Sequence, residues 1–287
     1  MNLSTTDLVL SPDAAIDLQT HTIYSDGSWT PEQLLDHLAS EQFGLAAITD
    51  HDYPDSAIAL QRLAVDKRLP LLLAVEMTAS WNDQMTDVLC FGFDPSRHAL
   101  TELAHDLVRR QRENTREVHE NLHRKGYVAP NDPDELSTLL EMPSAQQPHA
   151  LVALVKKNGH GAGEVSAGKL VLEAGCVFAM NDIAAVVDAA HQDGAVCLIA
   201  HPGREDGFIC YDVPLLDQLC REAPIDGLEA YYPRHTSEQT SLFREYAGKH
   251  KLLISAGSDS HGPEKMPIKY RAELCRDLLE RLGIAVR

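Results

Sequence analysis

The 287-residue sequence is short of several things that would point to other functions. Its six cysteines, Cys90, Cys176, Cys197, Cys210, Cys220 and Cys275, are scattered, and none forms a C-x-x-C pair. That favours reduced thiols in a cytosolic protein over a disulfide framework or a cysteine-rich zinc site. No run approaches the ~20 apolar residues of a membrane span. The segment MNLSTTDLVL has neither a basic n-region nor a long apolar stretch, so no secretory signal is expected and the expected location is the cytoplasm. Positive charge is scarce: 25 basic against 43 acidic residues leave a net charge of -18. This disfavours long duplex nucleic acid and membrane surfaces as partners, though a local basic pocket could still hold phosphate. Gly-x-Ser-x-Gly elbows and Walker loops are missing too, so an activated serine or a P-loop is not expected to carry the chemistry.

What the chain does have is alternation. After a short N-terminal extension, 1–13, apolar runs at 14–18, 45–49, 71–75, 87–92, 195–200, 225–230 and 252–256 read as strands. Helical patterns at 31–42, 54–68, 182–193, 212–222, 236–249 and 270–282 separate most of them. Such alternation implies an α/β fold, a parallel sheet covered by helices. Seven candidate strands suggest a closed or nearly closed barrel. Between 98 and 180 the alternation stops. Helices at 98–125, 132–141, 146–158 and 164–174, punctuated by Pro130, Pro133, Pro143 and Pro148, read as an all-helical insertion between strands four and five. The expected organisation is a barrel domain of 14–97 with 181–287, carrying a helical insertion or lid of 98–180.

Histidine and acid cluster where strands end: Gln19, His21 and Asp26; Thr49-Asp50-His51-Asp52; Val75-Glu76; Asp87 at the opening of strand four; His201-Pro-Gly-Arg204; Glu229, with His235 following; and Gly257-Ser-Asp259-Ser-His261-Gly262. Residues two apart on a strand share a face, so Asp17, Gln19 and His21 are expected to point together. In α/β barrels the working groups gather at strand C-termini, so most of these could meet at one mouth. The mixture of imidazole and carboxylate suits divalent Mn, Fe or Zn. There are more candidates than one ion needs, and two or three ions sharing a carboxylate would account for them.

The motifs THTIYSDG, ITDHD, AVE, IAHPGR, YYPRHT and GSDSHG, in this order, resemble the PHP family of metal-dependent phosphoesterases, in particular its stand-alone nucleotide and nucleotide-bisphosphate phosphatases and 5′-3′ exoribonuclease. The resemblance covers nearly the whole chain. It implies a distorted (β/α)7 barrel and two or three divalent metals, manganese first, iron or zinc as alternatives. Carried over, it implies one metal site of Gln19, His21, Glu76 and Asp259, a second of Glu76, Asp87 and His201, and a third of Asp26, His51 and His261. Two positions depart from the family pattern: Gln19 stands for the first histidine of H-x-H, and Asp87 for the fourth-strand histidine. Glutamine is a weak neutral ligand, whereas aspartate is competent and adds charge.

A metal-activated hydroxide attacking phosphorus in line is the implied chemistry. Arg204 is placed to hold non-bridging phosphate oxygens, and His235 to orient phosphate or protonate the leaving oxygen. The family also places a histidine near substrate where His149 stands. Arg109, Arg112 and Arg116 share one helical face of the insertion; Arg112 and Arg116 are taken as candidate substrate contacts, while Arg109 reads as solvated. The expected activity is phosphomonoester hydrolysis of a small nucleotide-like substrate, a nucleoside monophosphate or 3′,5′-bisphosphate. The alternatives are 5′-3′ cleavage of short oligoribonucleotides, and a degenerate barrel that binds a phosphorylated ligand without turnover.

Overall fold

The computed structural model describes residue 5 and residues 7–129 and 133–287. Pro130 and the first four residues of the expected N-terminal extension lie outside the described residues, as does residue 6. The chain divides into two compact units, Met1–Leu103 with Asn181–Arg287, and Ala104–Met180.

In the first unit the order begins β1 (Val9–Leu10), β2 (Ala15–Asp17), α1 (Pro31–Ser40), β3 (Leu45–Ala47), α2 (Ala57–Asp66), β4 (Leu71–Leu72), β5 (Ala74–Trp81) and β6 (Gln84–Phe91). Helix α3 (Ala99–Arg124) leads into the second unit, which adds α4 (Pro133–Glu141), α5 (Gln147–Lys157) and α6 (Ala167–Glu173). The first unit then resumes with β7 (Asn181–Asp182), α7 (Ile183–Gln192), β8 (Val196–Ile199), α8 (Val213–Glu222), β9 (Gly227–Tyr231), α9 (Ser237–His250), β10 (Leu253–Ala256), β11 (Tyr270–Arg271), α10 (Arg276–Arg281) and β12 (Ala285–Val286).

The strands form a mixed α/β fold of three sheets, ordered β1-β12, β10-β9-β8-β6-β5-β7 and β11-β2-β3-β4. A purely parallel sheet is therefore not what forms: β6 runs antiparallel to both β5 and β8, and β11 antiparallel to β2. The reason is a hairpin. Asn82 and Asp83, both at positive φ, make the tight turn that a right-twisted β-hairpin favours, and β5 and β6 pair along eight residues each from Ala74–Phe91 to Trp81–Gln84. Glu76 and Asp87 consequently lie inside long strands, not at a strand end and a strand start. The extension is not free either, since β1 pairs in parallel with β12. Continuous ladders do not close a ring among the described residues; the two larger sheets meet through single bridges, Thr20 with Ser260 and His51 with Glu76.

Beneath these strand ends a core of Ile16, Leu18, Leu45, Leu89, Phe91, Leu198 and Ala256 is fully or almost fully buried, giving the polar residues above it a rigid floor. The second unit has its own core, around Val118, Leu122, Leu151 and Val155. All six cysteines are free, and among the described residues no helix is long and apolar enough to cross a membrane.

Candidate metal centre

Three buried aspartates shape the loops before any functional group is placed. Asp17 accepts from the backbone N–H of Ser258 and Ile268, both at 2.9 Å, and of Gln19 at 3.3 Å. It thus ties β2 to the segment after β10 and does not point with Gln19 and His21 into the cluster, because β2 ends at Asp17. Asp50 takes Thr22 N and Thr22 Oγ1 at 2.7 Å and Ser25 Oγ at 2.8 Å, folding the loop that carries Asp26. In that loop a Cβ on Gly27 would lie 2.6 Å from the His21 carbonyl oxygen, so only glycine allows the turn. Asp52 accepts from Thr78 N at 3.0 Å, fixing the His51 loop on β5. Thr30 closes the segment with a capping box at the start of α1. Burial raises the carboxyls of Asp17 and Asp52 to about 6, against the pull of these hydrogen bonds.

On this frame the histidines and acids converge. His21, Asp26, His51 and His261 form one group whose ligand-type atoms lie within 4.8 Å of one another; His21, Glu76 and Asp259 form a second, and His51, Glu76 and Asp87 a third. The groups overlap at His21, His51 and Glu76. His21 Nε2 is 3.1 Å from Glu76 Oε2 and 3.3 Å from Asp259 Oδ1, while His261 Nε2 is 3.2 Å from Asp26 Oδ2. His201 Nε2 is 3.2 Å from Glu76 Oε1 and 3.7 Å from Asp87 Oδ2. Gln19 Nε2 donates to both Glu76 oxygens at 3.1 and 3.0 Å. All nine residues singled out as metal ligands from the sequence are therefore in one place. Glu76 is its hub, reached by groups from three separate loops.

Several buried donor atoms in the cluster have no partner in hydrogen-bond geometry: both ring nitrogens of His21, His51 Nδ1, Asp87 Oδ1 and Gln19 Oε1. Buried polar atoms are ordinarily satisfied, so convergent unsatisfied imidazole and carboxylate atoms fit a cation. The donor set, imidazole nitrogen and carboxylate oxygen without thiolate, suits a borderline divalent metal. Burial opposes ionisation of Glu76, yet His51, His201 and His21 hold it well below the usual carboxylate range. Asp26 and Asp259 are likewise held low against burial, Asp26 by the histidine charges led by His51, Asp259 by its neighbour His21. Desolvation disfavours charge on His21, but Asp259 and Glu76 raise it well above 6.5. Asp87 goes the other way, pushed up by burial and then by Glu76.

Beside the cluster, Arg204 and Arg234 share one carboxylate: Arg204 Nε donates to Asp206 Oδ1 at 2.6 Å and Arg234 Nη1 to Asp206 Oδ2 at 3.2 Å. Arg204 also lies 4.1 Å above the Phe208 ring, whose edge meets His201. His235 is engaged by backbone on both sides. Its Nε2 accepts from Gly203 N at 3.1 Å and its Nδ1 lies 3.2 Å from the Ala230 carbonyl, which assigns the neutral Nδ1–H tautomer. Burial lowers it to about 4. It is thus a neutral brace for the His201–Arg204 loop and has no ring nitrogen left for substrate. His235→Ala should cost about 1–3 kcal/mol of stability by orphaning both backbone groups. An unchanged urea midpoint would remove that role.

The insertion candidates are found in the second unit. There the His149 ring meets Phe178 edge-on, Arg112 Nε donates to Leu140 O at 3.0 Å, and Arg109 pairs with Asp106 and Glu113. Sequence reasoning passed over five residues of the first unit, Arg234 among them. Lys265 and Tyr232 both reach Asp259, at 3.3 Å, and neither falls in a metal-ligand motif. Tyr24 and Tyr53, each about two-fifths exposed, follow His21 and His51 closely in sequence and meet edge-on at 5.8 Å between ring centroids. Two tyrosines shortly after histidines was the only signal available for that pair.

No family model matches the chain. Among curated proteins it is similar to a 3′,5′-nucleoside bisphosphate phosphatase of Chromobacterium violaceum, 26% identical over 254 residues, covering 87% of this chain and 88% of the relative. A phosphoribosyl 1,2-cyclic phosphate 1,2-diphosphodiesterase of Eggerthella lenta is 26% identical over 256 residues, covering 86% and 94%. A 5′-3′ exoribonuclease of Escherichia coli is 25% identical over 254 residues, covering 86% and 85%. Two solved structures share the fold at 24% identity. One is a Chromobacterium violaceum protein named an amidohydrolase, with bound sulfate and no metal (TM-score 0.72, covering 94% of this chain and 96% of that one). The other, from Bifidobacterium adolescentis, is described as a metal-dependent phosphoesterase by assignment (TM-score 0.70, covering 96% and 98%).

Proposed function

We propose that this chain, a member of the PHP family of metal-dependent phosphoesterases, hydrolyses a phosphomonoester of a small nucleotide-like substrate, a nucleoside monophosphate or 3′,5′-bisphosphate. The observation that carries the reading is the set of overlapping His/Asp/Glu groups hinged on buried Glu76. We assign Gln19, His21, Glu76 and Asp259 to one metal, Glu76, Asp87 and His201 to a second, and Asp26, His51 and His261 to a third, with manganese first and iron or zinc as alternatives. Such ions lower the pKa of bound water toward neutrality and polarise a phosphoryl oxygen.

The remaining work belongs to the protein's own groups. Arg204, braced on Phe208, and Arg234 offer two guanidinium groups to phosphate oxygens, with Asp206 holding both until an anion arrives. His235 keeps the loop between His201 and Arg204 in place. His149 is a further substrate contact on the family pattern, and Arg112 and Arg116 are further candidates on their shared helical face. The fold we read as a distorted (β/α)7 barrel with the helical insertion, supported by the single bridges at Thr20 and His51. The free thiols suit a cytoplasmic location.

Tyr24 and Tyr53 give the nucleotide reading a specific support, since exposed rings stack on any base. Alanine at either should raise KM for a nucleotide roughly 5- to 160-fold, from about 1–3 kcal/mol of stacking, and leave KM for glycerol phosphate unchanged. Equal losses on both substrates would remove the base from the account. The reading as a whole is tested by a phosphate-release screen with Mn²⁺ over mononucleotides, 3′,5′-bisphosphates and short RNA, beside a metal count on protein purified without chelator. Release from short RNA alone would favour the exoribonuclease. Less than one ion per chain together with no release from any substrate would leave the non-hydrolysing phosphate binder.

A further inference from the structure

Lys265 lies outside every motif above, yet it is built against the cluster. Its backbone is pinned: Lys265 N donates to Gly262 O at 2.9 Å, and its carbonyl accepts from Ser260 Oγ, which in turn accepts from Trp29 Nε1 at 3.1 Å. From that anchor the side chain curls back onto a single residue. Lys265 Nζ donates to the Asp259 carbonyl at 2.7 Å and to Asp259 Oδ2 at 3.3 Å. Tyr232 OH donates to the same Oδ2 at 3.3 Å, and Lys265 Nζ lies 5.6 Å from the Tyr232 ring.

The two oxygens of Asp259 are therefore unlike. Oδ2 is held by an ammonium and a phenol. Oδ1 faces the histidines, 3.3 Å from His21 Nε2 and 3.5 Å from His261 Nδ1. Asp259 also sits at φ 54°, a left-handed conformation that costs a non-glycine residue about 1 kcal/mol or more. The bonds from Lys265 Nζ and His261 to its carbonyl hold that conformation. A carboxylate with two free oxygens can rotate and chelate; one with Oδ2 occupied presents a single oxygen in a fixed direction.

We propose that Lys265, aided by Tyr232, is a positioning residue that makes Asp259 a one-oxygen metal ligand. This rests on the metal-centre reading above. Outer partners of ligating groups typically account for 10- to 100-fold in metal affinity, and here the partner is a cation, which by charge alone would weaken metal binding. Positioning and repulsion thus predict opposite signs, and the experiment separates them.

Chelator-stripped wild type, Lys265→Met, which keeps the aliphatic stem, and Tyr232→Phe are titrated with Mn²⁺ by calorimetry and with Co²⁺ by visible absorption, with circular dichroism and urea unfolding to confirm folding. Positioning predicts that Lys265→Met weakens Mn²⁺ binding 10- to 100-fold and alters the Co²⁺ spectrum, with Tyr232→Phe giving a smaller change of the same sign. Unchanged or tighter binding by folded Lys265→Met, or an unaltered Co²⁺ spectrum, overturns it. If Lys265→Met does not fold, Tyr232→Phe decides alone: weaker Mn²⁺ binding supports the assignment and unchanged binding overturns it. Absence of metal binding by wild type instead would sink the metal-centre reading itself.

Discussion

Replacing Glu76 with glutamine is expected to lower phosphate release by roughly 10³-fold or more, about 4 kcal/mol of barrier, and to reduce bound metal. The substitution keeps volume and most hydrogen-bonding capacity, so the effect isolates charge. Glu76 is fully buried, and its two oxygens are approached by Gln19 at 3.1 and 3.0 Å, His21 at 3.1 Å and His201 at 3.2 Å. It belongs to two of the three converging groups, one with Asp259 and the other with Asp87. A glutamine there offers one neutral oxygen where the site needs a shared anion. Metal content by elemental analysis and turnover should fall together. Full turnover with wild-type metal content would show that Glu76 does not hold the ions.

Metal binding should release protons, and affinity should therefore fall as the pH falls. In the metal-stripped protein His21 titrates well above 6.5, because its carboxylate neighbours outweigh desolvation. Burial and then Glu76 raise Asp87 well above 3.8. Both must lose a proton to ligate. Protons are expected to be released as the ions bind, with affinity dropping on acidification. Calorimetry in buffers of different ionisation enthalpy counts them; zero released protons would mean that neither residue ligates.

The same groups set the acid and alkaline limits of the stripped protein. For His21, whose pKa is raised, the stabilisation is complete below 6.5 and is lost as pH rises through its folded value. For Glu76 and Asp259, whose pKa values are depressed, it is present above the ordinary 4.5 and 3.8 and is lost as pH falls through their folded values. Stability from these pairs should therefore be greatest between the carboxylate range and 6.5.

The sequence by itself determined which residues meet. His21, Asp26, His51, Glu76, His201, Asp259 and His261 were legible because histidine and acid recurred after apolar runs, and apolar runs at such spacing leave few ways to bury a core. The run of helices from α3 to α6 was legible too, since a change of hydrophobic period is local information. The direction of β6 was not: a hairpin turn of Asn82-Asp83 carries no glycine, and the signal was lost between two apolar runs. Nor was the division of labour among the acids. Asp17, Asp50 and Asp52 look like ligands in a motif, but backbone N–H groups from distant segments claim their oxygens. His235 looked like a proton donor until Gly203 and Ala230 took its two nitrogens. Lys265 gave no sign at all. Identity and order are properties of the chain, whereas the partner each polar atom finds depends on which segments the core brings within about 3 Å, and only the tertiary structure decides that.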